Sequence, residues 1–286
     1  MTVQTQPSNL SPAQPGGPLA GLSVVITQAE QQSAEFAQLL RNRGALPLFY
    51  PCIDFAPPRN LAALDDATRR AAAGEFDWLV VTSVNTVESL VERLAAIGLA
   101  PQALAGLRGV AISPETAQAA SEKLGLTVEN LPDEYPDEYI APALARSMAV
   151  QPGERIFLPQ SALAKPDLAQ ALTDAGAAVT AVDAYRTVLA EGGDDVPTLL
   201  WQGQVDAITF ASGSTLRAFR KRLDLMGGNL GMLQDVVVAC IGPATAEVAQ
   251  QYGLRVRVMP EIETVEGLVE ALAAYFGADK RRPIAR

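Results

Sequence analysis

Along the chain, one pattern of apolar and polar positions is written twice. "DWLVVTSVNTVESL" from Asp77 is answered by "DAITFASGSTLRAF" from Asp206, and "VAISPETAQAA" from Val110 by "ACIGPATAEVA" from Ala239. The spacing holds across both copies: 206−77, 212−83, 243−114 and 245−116 all give 129. Each copy reads as an apolar strand, a Ser-bearing turn, an amphipathic helix and a second strand that ends in a Pro-x-Thr-Ala helix start. An offset kept over two strand-to-helix junctions marks a duplicated α/β unit.

The stretches between the copies repeat as well. Leu22 to Thr27 in "GLSVVITQ" reads as a β-branched strand, and "EQQSAEFAQLLRNRG" as a helix with Phe36, Leu39 and Leu40 on one face and Gly44 as its stop. "ALPLFYP" is the next strand, closed by Pro51. "ERIFLPQSALAKPDLAQALTDAGAAVTAVDAY" has the same design: Gly176 answers Gly44, Leu158 answers Ile26 and Gln160 answers Gln28, each 132 residues on. Four half-units of alternating strand and helix predict parallel sheets covered on both faces.

Their order suggests how domains form. If each domain needs one strand–helix–strand half and one copy, the neighbouring middle pieces make one domain and the outer pieces pair to make the other. The expected fold is α/β, with two flavodoxin-like parallel-sheet domains related by internal duplication and joined by a two-segment hinge. Domain 1 takes residues 19–52 and 190–277, and domain 2 takes residues 56–185, inserted between them. The chain then crosses twice, near Pro51–Pro58 and near Tyr185–Gly193, through "PCIDFAPP" and "RTVLAEGGDD", which read as linkers. Two sequential domains split near residue 140 are the plainer alternative. Residues 1–18 read as a disordered tail of Ser, Gln, Pro and Gly, and residues 278–286 as a short basic tail.

Composition narrows the chemistry. With 286 residues and 49% hydrophobic content, the chain can bury real cores. Its apolar runs are strand-sized, so no membrane span is expected, and its start lacks a signal-peptide pattern. Cys52 and Cys240 sit in apolar settings and read as buried thiols of a cytoplasmic protein. A net charge of −10 argues against nucleic acid as a partner. There is no histidine at all, which removes His-based zinc sites and Ser-His or Cys-His nucleophiles.

Ligands of open α/β sheets sit at the carboxyl ends of strands, where helix N-termini present unpaired N–H groups. The candidate turns are Thr82-Ser83-Val84-Asn85, Ser113-Pro114-Glu115-Thr116, Pro159-Gln160-Ser161, Ala211-Ser212-Gly213-Ser214 and Gly242-Pro243-Ala244-Thr245. Their small and hydroxylated residues would let a ligand approach the backbone closely. The same hydroxyls read equally well as helix caps, each contributing ~1 kcal/mol. Lys165 and Arg186 are the nearest cations, so a polycarboxylate would be gripped mainly by N–H groups and hydroxyls, at ~0.3–2 kcal/mol each. No nucleotide-binding or metal-binding motif is present, and neither a metal nor a cofactor is indicated.

In this order, "VVTSVNTVESL", "AISPETAQAA", "LTDAGAAVTAVDAYRT", "ITFASGSTLRAF" and "IGPATAEVAQQYGLRV" with "ETVEGLVEAL" resemble the uroporphyrinogen-III synthase family over residues 20–275. The resemblance implies two α/β domains joined by a two-stranded connector. The implied activity is a cyclising hydro-lyase that converts hydroxymethylbilane into uroporphyrinogen III, losing water and inverting the last ring. It places Tyr185 as the cleft tyrosine that assists departure of the hydroxyl. Ser83, Asn85, Ser113, Thr116, Gln160, Ser161, Lys165, Ser212, Ser214, Gly242 and Thr245 would then bind substrate. Two places depart from the family pattern. Ser113 stands where Gly is usual, and "SALAKPD" replaces a Gly-Arg turn, with Lys165 unable to form a bidentate fork on a carboxylate. A monomer is expected, since one cleft per chain needs no partner. The alternative of another class is a non-catalytic two-lobed tetrapyrrole or small-ligand sensor; no helix-turn-helix pattern follows residue 276 to support its DNA-binding form.

Overall fold

The computed structural model describes residues 16–130 and 140–279. The strands are β1 (Ser23–Ile26), β2 (Leu46–Phe49), β3 (Ile53–Ala56), β4 (Trp78–Val81), β5 (Arg108–Ala111), β6 (Thr127–Asn130), β7 (Arg155–Ser161), β8 (Ala178–Leu189), β9 (Ala207–Phe210), β10 (Val237–Cys240) and β11 (Val256–Val258). The helices are α1 (Glu30–Asn42), α2 (Leu61–Ala72), α3 (Val84–Ala96), α4 (Pro114–Leu124), α5 (Ile140–Ser147), α6 (Asp167–Asp174), α7 (Val196–Trp201), α8 (Gly213–Leu225), α9 (Pro243–Gln251) and α10 (Val265–Asp279).

The chain divides into two compact units, residues 1–54 with 189–286, and residues 55–188. The first holds a five-stranded sheet in the order β11-β10-β9-β1-β2. Every neighbouring pair in it is parallel. The second holds β3-β8-β7-β4-β5-β6, parallel from β8 through to β6. With β7 and β8 standing in for β1 and β2, its strands follow the same sequence as those of the first sheet, the flavodoxin-like order 2-1-3-4-5.

Alternating side chains leave the two faces of each sheet. In the first unit Val25, Ile208, Phe210 and Val238 pack with Leu216, Phe219 and Leu223 of α8. Val24, Ile26, Ala207 and Val237 pack on the other face with Phe36 and Leu40 of α1 and Leu268 and Leu272 of α10. In the second unit Leu79, Val81, Ala111 and Phe157 meet α2, α3 and α4, while Trp78, Val80, Val110, Ile156 and Leu158 meet α5 and α6. Both thiols, Cys52 and Cys240, are buried and free. Among the described residues no helix is long and apolar enough to cross a membrane.

The sequence reading needs correction at three places. The linkers near 51–58 and 185–193 each contain strand, as the two-stranded connector of the resemblance implies: the chain leaves the first unit within β3 and returns within the long β8. Ile53 and Phe55, like Thr187 and Val188, favour extended backbone, and sheet pairing of β3 with β8 satisfies N–H and C=O groups that a loop would leave to solvent. Helix α2 escaped the reading, although Asn60 caps it by accepting the Ala63 N–H at 3.2 Å. Residues 16–18, expected in the tail, form a turn in which a Cβ on Gly17 would overlap the Arg43 carbonyl oxygen. The rest of that tail, residues 1–15, and all but the first two residues of the basic tail lie outside the described residues.

One side chain in the first unit ties both crossings to the core. Arg222 of α8 is buried, donates to the carbonyls of Pro51 and Gly192, and lies 3.8 Å from the Tyr50 ring centre. Burial pushes the Tyr50 phenol up to about 12 against the opposing pull of Arg222.

The aspartate that opens each copy pins a strand start. Asp206 Oδ2 accepts the Ser23 N–H at 2.8 Å, and Asp77 Oδ2 accepts the Arg155 N–H at 2.8 Å. The hydrogen bonds from Arg155, chiefly those of its side chain, hold the Asp77 carboxyl below its ordinary range. A depressed carboxyl stabilises the fold above its unfolded value near 4 and loses that contribution as pH falls through the lower folded value. The Asp77 and Arg155 side chains are 38% and 47% exposed, so solvent screens the ion pair and its contribution to stability is small. Asp77→Asn should therefore unfold at slightly lower urea concentration at pH 7, and the gap from wild type should narrow at a pH below the ordinary carboxylate range. Urea titrations at the two pH values check this.

Candidate active site

In a parallel sheet all strands end on the same edge, and the following helices begin there. The second unit gathers three of the candidate turns and Tyr185 on that edge. Ser83 ends the β4 turn and caps α3, its Oγ accepting the Thr86 N–H at 3.2 Å and lying 3.0 Å from Thr86 Oγ1. Ser113 does the same for α4, with the Thr116 N–H at 3.2 Å and Thr116 Oγ1 at 3.0 Å. Thr86 and Thr116 are buried beneath their caps.

Tyr185 sits in β8, half-buried, with its hydroxyl 3.2 Å from Ser83 Oγ. Phe55 meets its ring edge-on, the centres 5.5 Å apart at 89°. In register, Tyr185 is the partner of Ser161 at the end of β7, just past a bulge between Gln160 and Ser161. The structure thus brings Ser83, Thr86, Ser161 and Tyr185 to one place, with a chain of hydroxyls running from Tyr185 through Ser83 to Thr86. The Ser161 hydroxyl accepts the Leu163 N–H at 3.2 Å, and Lys165 is exposed in the loop before α6. Asn85, in the first turn of α3, and Gln160, paired with Asp183, are half-buried.

The first unit carries the other candidates. Ser212 caps α8 by accepting the Thr215 N–H at 3.1 Å, and its Oγ lies 2.8 Å from Thr215 Oγ1 and 2.9 Å from the exposed Ser214 Oγ. The corresponding turn after β10 has Gly242 in the serine's place, and Thr245, where the threonine would be, is buried. Helix α9 consequently starts with no side-chain cap, and so does α1, which begins after Ala29. The carboxylate of Glu263 lies against Gly242, so that a Cβ there would overlap it; the φ of −166° is extended backbone that any residue adopts. A carboxylate near a helix N-terminus is where the helix dipole favours negative charge.

One residue on this edge was missing from the candidates. Gln28 follows β1 and answers Gln160, which lies near the end of β7, and its amide oxygen is buried without a hydrogen-bond partner among the described residues. The 132-residue offset had already paired the two glutamines, but pairing alone gave no chemical reason to choose the first.

Chemically these edges offer neutral hydroxyls and backbone N–H groups. Burial pushes the Cys240 thiol up to about 12 and raises Cys52 further, so neither is a nucleophile near neutral pH. Among the described residues no group of three His, Cys, Asp or Glu side chains is placed to hold a metal ion. Where a serine caps its helix, one N–H is already occupied; at α1 and α9 no side chain takes that place. Ser212→Ala should cost ~1 kcal/mol through loss of the α8 cap, read as a lower urea midpoint with unchanged slope. No change in the midpoint would mean that the Ser212 hydroxyl contributes nothing to helix stability.

The comparisons with known proteins agree with one another. Residues 34–270 match the family model described as uroporphyrinogen-III synthase HemD. A uroporphyrinogen-III synthase of Synechococcus elongatus is 33% identical over 271 residues, covering 90% of this chain and 97% of the relative. A putative uroporphyrinogen-III synthase of Methanothermobacter thermautotrophicus is 31% identical over 266 residues, covering 90% and 99%. Among solved structures, a mutant uroporphyrinogen III synthase of Thermus thermophilus has the same fold, with a TM-score of 0.57 at 21% identity over 91% of this chain and 99% of that one. With its family model matched over most of its length and full-length relatives above 30% identity, this chain belongs to the uroporphyrinogen-III synthase family.

Proposed function

We propose that the protein closes hydroxymethylbilane to uroporphyrinogen III, with loss of water and inversion of the last ring. The observation that carries the assignment of roles is the Tyr185 hydroxyl, 3.2 Å from Ser83 Oγ on the carboxyl edge of its sheet. When Ser83 donates its own proton to the phenolic oxygen, the Tyr185 O–H is left free to donate to a substrate hydroxyl.

The chemistry needs little from the protein. The pyrrole nitrogen pushes its electron pair toward the hydroxymethyl carbon, the C–O bond breaks, and a proton from Tyr185 or solvent leaves with the oxygen as water. The resulting azafulvene cation is attacked by the last ring through its already substituted α-carbon. The bond from that carbon to the neighbouring methylene then breaks and re-forms at the ring's free α-carbon, which gives up its proton, so the ring ends inverted. Holding that geometry is the main task. Uncapped N–H groups at α1 and α9 are suited to the substrate's carboxylates, and Ser113, Ser161, Ser212 and Ser214 supply further hydroxyl contacts beside Asn85, Gln160 and Lys165. Thr116 and Thr245 shape the turns from beneath. Glu263 moves off Gly242 when a substrate carboxylate arrives.

The finer architecture belongs to the same proposal. The two units are duplicated domains, a reading supported by their common strand order, and the crossings through β3 and β8 act as a hinge. The enzyme works as a single chain in the cytoplasm without a cofactor, because hydroxyl and N–H donors suffice for this chemistry.

Purified protein should accelerate consumption of hydroxymethylbilane above its spontaneous rate; binding without acceleration would favour a sensor. If positioning dominates, Tyr185→Phe should lose less than about 100-fold in kcat, the lower end of what general acid catalysis supplies. Ser212→Trp, which fills the rim of α8, should lose more. A folded but inactive Tyr185→Phe enzyme would make proton donation, and not positioning, the principal contribution.

A further inference from the structure

Gln28 stands out because its amide oxygen has no hydrogen-bond partner among the described residues while hydrogen bonds hold the backbone around it. Just below it, Thr27 Oγ1 donates to the Thr209 carbonyl at 2.6 Å and Thr209 Oγ1 donates to the Val25 carbonyl at 2.8 Å, which locks the ends of β1 and β9 together. The Cys52 N–H donates to the Thr27 carbonyl at 3.0 Å, and Ser33 Oγ donates to the Ala29 carbonyl at 2.9 Å. The backbone on both sides of Gln28 is therefore rigid. Its amide oxygen nevertheless has no partner among the described residues, although it is buried. A buried acceptor without a donor destabilises a fold, and one at a ligand-binding edge points to a ligand that supplies the donor.

The position agrees with that reading. Gln28 lies between the end of β1 and the uncapped start of α1, in the central part of the sheet, with β9 and its Ser212 turn next in order. Helix N-termini and serine hydroxyls on this edge serve acidic groups. A linear tetrapyrrole also carries pyrrole N–H groups, which require neutral acceptors. A carboxylate acceptor would repel the substrate's acid chains, whereas an amide oxygen does not. Among the described residues no hydrogen bond holds the Gln28 amide oxygen, and rotation of the amide would bring it outward.

We propose that Gln28 is a substrate-positioning residue whose amide oxygen accepts a pyrrole N–H of the bound tetrapyrrole. This rests on the function proposed above. It gives the first unit a neutral acceptor that answers Gln160 of the second.

The test is Gln28→Leu, assayed for KM and kcat with hydroxymethylbilane and for stability by urea denaturation, beside wild type and Gln28→Glu. Removing one neutral hydrogen bond should raise KM roughly three- to tenfold. Replacing an unpaired buried carbonyl by an apolar group should leave the urea midpoint unchanged or raise it. Gln28→Glu should raise KM further by like-charge repulsion. An unchanged KM in Gln28→Leu overturns the proposal, as does a loss of stability accompanying the loss of binding, since the amide would then be a structural part of its turn. A wild-type enzyme that does not turn over hydroxymethylbilane would instead overturn the functional reading, and that result is seen before any variant is made.

Discussion

Parallel strands impose the constraint on which the site depends. Because β1, β9 and β10 run the same way, helices α1, α8 and α9 all begin on one edge of their sheet. The same holds for β4, β5 and β7 with α3, α4 and α6 in the other unit. Each edge collects backbone N–H groups that cannot be satisfied within a helix. An acidic chain of net charge −10 can therefore hold an acidic ligand without a cluster of lysines or arginines. Everything else on these edges modifies how many of those N–H groups remain open.

Serine is the main modifier. Ser83, Ser113 and Ser212 each close the start of their own helix, with Thr86, Thr116 and Thr215 buried underneath. Stability and the proposed binding thus draw on the same atoms. The turn at Gly242 has given up its cap, and the start of α1 lacks one too. Tyr185 differs from all of these: its ring meets Phe55 edge-on and its hydroxyl reaches a capping serine, so a phenol is oriented by a group that already has a structural task.

Much of this was legible in the sequence, for identifiable reasons. A fixed offset survives only where strand, turn and helix start must keep their mutual spacing, so the repeats located the carboxyl-edge turns without a structure. The reading ran short where local signals mislead. "PCIDFAPP" has the prolines of a linker, yet Ile53 to Ala56 pair as a strand because a partner, β8, is available; tertiary pairing decided it. Helix α2 lies outside the repeated stretches, although Leu64, Ala67, Thr68 and Ala71 form a buried face along it. Thr116 and Thr245 lie buried at their turns, and sequence position alone does not tell a buried hydroxyl from an open one. Gln28 was visible as a repeat of Gln160, but only coordinates could show its oxygen shielded and unpaired.

The account holds that the protein directs a reactive intermediate more than it creates one, and product regiochemistry reads that directly. Hydroxymethylbilane supplied to the purified chain should yield the type III isomer, in which the last ring is inverted. A product of type I alone, the isomer that forms when the bilane closes unaided, would contradict it.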